Sequence, residues 1–263
     1  MVKKVILILV ILYVLILFGF YFFQNSIVFR PKKTAQNYTY SFEYDFKEIN
    51  LKAKGKTTLN ALHFKVDNPK GVILYFHGNK DNLERWGAIA AELTKYNYDV
   101  FVMDYRGYGK STGTRTESLM YADAQLCYEY LKNTYGENEI VVYGRSLGGT
   151  FATFVASQNN PKQLILEATF SSLQDVVFHK LPILPYSKIL KFKFKTFELI
   201  EKVNCPITIF HGNEDELVSI RLAKKVVAHS NKEMAEFVEI DQASHHNISS
   251  FEKYHTVINT ILK

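Results

Sequence analysis

Apolar positions along this chain fall into three regimes. Residues 5–23 (VILILVILYVLILFGFYFF) form an unbroken apolar run without a charge. Coiled as a helix, the run would reach roughly 28 Å, close to the depth of a bilayer's hydrocarbon core. From about residue 41 onward, short apolar runs alternate with longer amphipathic ones. Residues 171–203 break that rhythm with Pro182, Pro185 and the segment Lys191-Phe192-Lys193-Phe194-Lys195.

The second regime predicts the fold. Residues 71–76 (GVILYF), 100–104 (VFVMD), 139–143 (EIVVY), 163–167 (QLILE), 206–210 (PITIF) and 236–240 (EFVEI) read as strands. Their Val/Ile/Leu runs do not alternate with polar residues, as expected of strands covered on both faces of a parallel sheet. Helical spacing falls between them, at 83–95, 117–133, 147–157, 219–229 and 249–262. Strand–helix alternation of this kind predicts a doubly wound, mostly parallel sheet. Residues 42–49 and 57–65 alternate apolar and polar positions and read as antiparallel edge strands. The 171–203 stretch exceeds a plain crossover and reads as a small insertion, a lid over a pocket rather than a crossover helix with a lysine face.

The first regime reads as an uncleaved membrane anchor. Lys3 and Lys4 precede it; Tyr21, Arg30, Lys32 and Lys33 lie at its other end, where interfacial anchors belong. A cleaved signal peptide is the competing reading, but the run exceeds a usual signal core and no A-x-A-like site follows it. The division expected is an anchor over 1–30 and one globular domain over 31–263. A short basic end kept inside would place that domain on the outer face.

Composition narrows the classes further. With 47% hydrophobic and 22% charged residues, the chain is of ordinary globular character. Its net charge of +6 is scattered rather than gathered in a stripe, which argues against nucleic acid as a partner. Cys127 and Cys205 lie inside segments that read as a helix and a strand, without metal-like spacing, and read as buried thiols. No metal or organic cofactor is expected.

In a parallel sheet, ligands bind beyond the carboxyl ends of the strands. After EIVVY comes Gly144-Arg145-Ser146-Leu147-Gly148-Gly149 and then a helix, the context that a G-x-S-x-G nucleophile needs. A serine hydroxyl requires a base oriented by a third group. After PITIF comes His211-Gly212-Asn213-Glu214-Asp215-Glu216, and after EFVEI comes Asp241-Gln242-Ala243-Ser244-His245-His246. An acid and a histidine thus follow late strands in the required order. Asp215 competes with Glu214, Glu216 and Asp241, and His245 with His246, while His77 and His211 read as structural. After GVILYF, the N–H following His77-Gly78, that of Asn79, and the N–H of Leu147 are placed to receive an oxyanion. Gly109-Lys110-Ser111 mimics the end of a P-loop, but Asp104 stands where its first glycine belongs, which excludes nucleotide binding there.

From about residue 41 to its end the chain resembles the α/β-hydrolase superfamily. The set YFHGN (75–79), DYRGYGKS (104–111), GRSLGG (144–149) and HGNEDELV (211–218) resembles its Bem46 or ABHD13/ABHD17-like branch. The resemblance implies an α/β-hydrolase fold with a mostly parallel sheet of about eight strands. It implies Ser146 as nucleophile, Asp215 as acid and His245 as base, although Gln242-Ala243-Ser244 replaces the usual Gly-Ala-Gly before the histidine and leaves His246 open. It also implies hydrolysis of carboxylic esters or thioesters, of lipid or small-molecule type or on an acylated protein. A serine peptidase on the same fold and an inert membrane-tethered binding protein are the alternatives.

Overall fold

A computed structural model describes residues 2–180 and 185–263. Residues 181–184, with Pro182 of the expected insertion, lie outside the described part.

The apolar run lies within one helix, α1 (Val2–Val28). No residue of its most apolar window is buried, and the helix is long and apolar enough to cross a bilayer. Eight strands then build one sheet: β1 (Phe46–Ala53), β2 (Thr57–Phe64), β3 (Val72–Phe76), β4 (Asp99–Met103), β5 (Ile140–Arg145), β6 (Gln163–Glu167), β7 (Ile207–Gly212) and β8 (Ala235–Ile240). Their spatial order is β8-β7-β6-β5-β3-β4-β2-β1. Only β1 with β2 and β2 with β4 pair antiparallel; every other pair is parallel. This is the expected α/β-hydrolase sheet.

Between the strands run α2 (Leu83–Ala91), α3 (Glu117–Lys132), α4 (Leu147–Gln158), α5 (Leu173–Lys180), α6 (Tyr186–Ile189), α7 (Thr196–Ile200) and α8 (Ile220–His229), and α9 (Glu252–Ile261) follows the last strand. Two apolar clusters cover the two faces. One gathers Leu74, Phe76, Val142, Phe151 and Leu166; the other gathers Ile73, Tyr75, Val141, Tyr143 and Phe210. Neighbours along β3 and β5 therefore point to opposite layers, as the pleat requires. Cys127 and Cys205 are buried free thiols.

Two expectations need correction. The first strand runs over Phe46–Ala53 rather than 42–49, because Phe42 turns inward and packs edge-on against Phe46 and Phe64. The second is no edge strand: β2 lies between β1 and β4 and is almost wholly buried. Its polar residues are satisfied internally, with Asn60 Nδ2 donating to Glu48 Oε1 at 2.6 Å and Tyr40 Oη donating to Asn60 Oδ1 at 3.0 Å. Their polarity marks a buried network rather than a wet face. In addition, residues 83–95 divide into α2 and a 3-10 turn at Glu92–Tyr96.

The loop after β4 is held by a buried ion pair. Arg106 Nε and Nη2 donate to Asp123 Oδ2 and Oδ1 at 2.5 and 2.6 Å, a bidentate geometry, while Nη1 donates to Lys54 O and Thr57 Oγ1. Removing one partner strands the other charge in the interior. Asp123→Ala is therefore expected to lower the unfolding free energy by about 3–5 kcal/mol in urea titration. A loss no larger than that of an exposed pair would refute this account.

Candidate active site

The centre is the junction of β5 and α4. The strand ends at Arg145, the helix begins at Leu147, and Ser146 alone makes the turn. It does so at φ 52°, ψ −116°, a strained backbone for a residue with a Cβ. Two glycines make the turn possible. A Cβ on Gly148 would lie 1.9 Å from Phe76 O, and one on Gly144 would lie 2.5 Å from Gly148 O. The Ser146 N–H donates to Glu167 O at 2.8 Å, which pins the turn to β6.

The loop after β3 lies against this turn. A Cβ built on Gly78 would be 3.9 Å from Ser146 Cβ. Among the described residues the Asn79 N–H donates to no backbone carbonyl, and the Leu147 N–H, at the start of α4, has none to meet within the helix. Both amides thus lack a backbone acceptor among the described residues. Tyr105 Oη donates to His77 O at 2.6 Å, and the His77 ring stacks on Trp86 with centroids 5.5 Å apart. Asp104, whose carboxyl burial pushes up, faces His77 Nε2 at 3.5 Å. His77 is accordingly framework for the loop.

Asp215 and His245 meet directly. His245 Nδ1 is 2.7 Å from Asp215 Oδ2, a geometry that suits Nδ1–H as donor and leaves Nε2 as acceptor. The Leu217 and Val218 N–H groups donate to Asp215 Oδ1 at 2.9 and 2.8 Å. His211 Nε2 lies 3.3 Å from Oδ2 and 2.9 Å from Val218 O. Burial pushes the Asp215 carboxyl up, but its bonds with His211 and His245 outweigh that and hold it well below the usual carboxylate range. Glu214, Glu216, Asp241 and His246 are all exposed. No hydrogen bond reaches the Ser146 hydroxyl among the described residues; such contacts commonly close only once substrate is bound.

Arg145 joins the two halves, a role its place in GRSLGG does not reveal. Its Nε lies 3.2 Å from Glu167 Oε1, and its Nη2 donates to the carbonyls of His245 and His246 at 3.3 and 3.1 Å. The loop carrying His245 is thereby tied to the residue before Ser146. Tyr143 Oη donates to Glu167 Oε2 at 2.6 Å, completing a buried network. One signal for it was available: Glu167 ends an apolar strand, and a charge there must be paired if buried. Trp86, the chain's single tryptophan, gave no such signal. Among the described residues, no three His, Cys, Asp or Glu side chains gather as a metal site would need.

Residues 67–199 match the family described as serine aminopeptidase, S33. The protein bem46 of Schizosaccharomyces pombe is 32% identical over 224 residues, covering 78% of this chain and 74% of that protein. The lysophosphatidylserine lipase ABHD12 of Danio rerio is 30% identical over 185 residues, covering 62% of this chain but only 47% of its own length. Among solved structures, the Pyrococcus furiosus esterase Pf2001 superposes with a TM-score of 0.70 at 20% identity, covering 89% of this chain and 97% of that one.

The depressed acidity of Asp215 has a measurable consequence. A carboxyl whose pKa falls on folding adds stability that is complete above its unfolded value, near 4, and fades as pH drops toward the folded one. The stability penalty of Asp215→Asn, from urea unfolding, is expected to hold near neutrality and to shrink below about pH 4. A penalty unchanged down to about pH 3 would contradict the coupling.

Proposed function

The chain belongs to the α/β-hydrolase family described as serine aminopeptidase, S33, in its Bem46 and ABHD-like branch, and we propose that it is a membrane-anchored enzyme cleaving carboxylic esters or thioesters through Ser146, His245 and Asp215. One observation carries the assignment: the 2.7 Å Asp215–His245 pair, on a loop that Arg145 ties to the strained Ser146 turn.

In this reading Ser146 Oγ attacks the acyl carbonyl while His245 Nε2 takes its proton, and Asp215 holds the Nδ1–H and steadies the imidazolium. The Asn79 and Leu147 amides receive the carbonyl oxygen as it becomes an oxyanion. His245 returns the proton to the leaving oxygen or sulfur, leaving acyl-Ser146. A water, deprotonated by His245, then attacks the acyl group, and Ser146 recovers its proton. His211 acts through Asp215 and Arg145 through the His245 loop; both are positioning residues.

The apolar helix and the lipase and esterase named among the relatives and structural neighbours support an acyl lipid as substrate. α1 serves as the anchor, and the 171–203 insertion serves as a lid beside the acyl pocket. A second reading, peptide-bond cleavage, is favoured only by the description of the matching family.

A fluorophosphonate probe is expected to label the full-length protein, and Ser146→Ala to abolish both labelling and turnover of p-nitrophenyl esters. His245→Ala is expected to cost several orders of magnitude in kcat, and His246→Ala little. Labelling that survives in Ser146→Ala would sink the assignment. Faster turnover of aminoacyl p-nitroanilides than of any ester in a chain-length series would favour the peptidase.

A further inference from the structure

The last turn of α1 does not behave like the rest of that helix. Residues 2–23 are exposed almost throughout, yet Gln24, Val28 and Phe29 are buried in the globular domain. Gln24 acts as a two-sided amide clamp: its Nε2 donates to Ile189 O at 3.1 Å, and its Oε1 accepts from the Lys191 N–H at 2.7 Å. Phe29 packs edge-on against Phe192 and Phe194, at 4.8 and 6.2 Å between centroids, and Phe194 packs against Phe151 of α4.

The same few residues grip Asn79. Its Nδ2 donates to Val28 O at 2.9 Å, and its carbonyl accepts from the Arg30 N–H at 3.1 Å and from Tyr108 Oη at 2.7 Å. Arg30–Pro31 then pairs in parallel with Lys80–Asp81, and the Gly109 N–H donates to Lys32 O. Asn79 is thus held at its side chain and at its carbonyl by residues on either side of Phe29. The loop has no comparable grip from its own strand, because β3 ends at Phe76.

We propose that the exit of α1, residues 24–31, is a positioning element of the active site: it sets the Asn79 amide that receives the oxyanion. This rests on the serine hydrolase reading above, with Asn79 as oxyanion donor. Its physical basis is the steep dependence of oxyanion stabilisation on donor placement. The helix therefore does more than tether. It holds one catalytic donor in register, and it keeps the Asn79 side of the site beside the end of the apolar helix, where an acyl lipid would arrive.

Two substitutions in the full-length, detergent-solubilised chain test it. Arg30→Pro removes one N–H donor to Asn79, and Asn79→Ala removes the bond to Val28. For each, fluorophosphonate titration counts the active sites. Turnover of a p-nitrophenyl ester and inhibition by an acyl trifluoromethyl ketone are then measured per titrated site. The expected result is a kcat lower by about 10- to 100-fold with KM little changed, and ketone affinity falling in parallel with kcat/KM. A merely structural role would reduce the titrated fraction and leave kcat per site intact, which overturns the proposal. Should Arg30→Pro lose its circular dichroism, Asn79→Ala decides alone. If the wild-type chain shows no Ser146-dependent turnover, the hydrolase reading falls and takes the positioning role with it. If it turns over and the variants keep kcat, only the positioning role falls.

Discussion

The close approach of α4 to the ends of β3 and β5 is the constraint on which the site depends. With Phe76 O less than 2 Å from where a Gly148 Cβ would sit, the helix can start there only if residue 148 is glycine. That contact puts the N-terminal turn of α4 under Ser146 and forces the serine into its positive-φ turn. The β3 loop falls beside the same turn, with the place of a Gly78 Cβ 3.9 Å from Ser146 Cβ. Packing, rather than a ligand, prepares the geometry. Its cost in strain is of the order expected at catalytic turns, about 1–3 kcal/mol, and the surrounding sheet has to absorb it.

A second requirement is electrostatic. Glu167 and Asp215, at or just past strand ends, are buried, and each is paired. Glu167 takes Arg145 and Tyr143, and Asp215 takes two histidines and two backbone amides. An unpaired charge at such depth would be expensive, so each partner constrains the loop that carries it. This is how Arg145, which faces away from any chemistry, can position His245 through that residue's own carbonyl. It also explains why one acid differs from its neighbours. Glu214 and Glu216 point to water, whereas the Val218 N–H and His211 fold the loop so that Asp215 turns inward.

The pattern of residues made much of this legible. Strands buried on both faces betray themselves as uninterrupted apolar runs, and β3 to β7 were read within one or two residues. The residues proposed to carry the chemistry lie shortly after those runs: Ser146 one residue past the end of β5, Asp215 three past β7 and His245 five past β8. Where reading failed, the cause was polarity satisfied internally. Asn60 and His63 gave β2 the look of a half-exposed edge, yet both lie buried, Asn60 bonding with Glu48 and Tyr40 and His63 lying against Asp99. Arg145, Glu167 and Trp86 escaped for a related reason. A contact between residues far apart in sequence leaves no period to detect, and Trp86 lies in an ordinary amphipathic helix.

The two regimes of the chain that seemed independent, apolar helix and globular domain, share a boundary that belongs to both. A tether needs only length and polarity at its end, and would be served by any flexible linker. Here Gln24 and Phe29 are buried, Arg30–Pro31 pairs in parallel with Lys80–Asp81, and Lys32 to Thr34 run bonded beside Gly109. Ordering those residues costs backbone entropy, of roughly 1–2 kcal/mol each, that a linker would keep. Six or so ordered residues therefore need compensation from specific contacts, among them the bonds of Val28 and Arg30 with Asn79. In the proposed reading, with α1 in a membrane, a helix joined so tightly would fix the site's distance and tilt relative to the lipid surface. With the acyl lipid proposed as substrate held in that surface, such fixed geometry would replace part of the orientational entropy that a freely tumbling domain loses on binding.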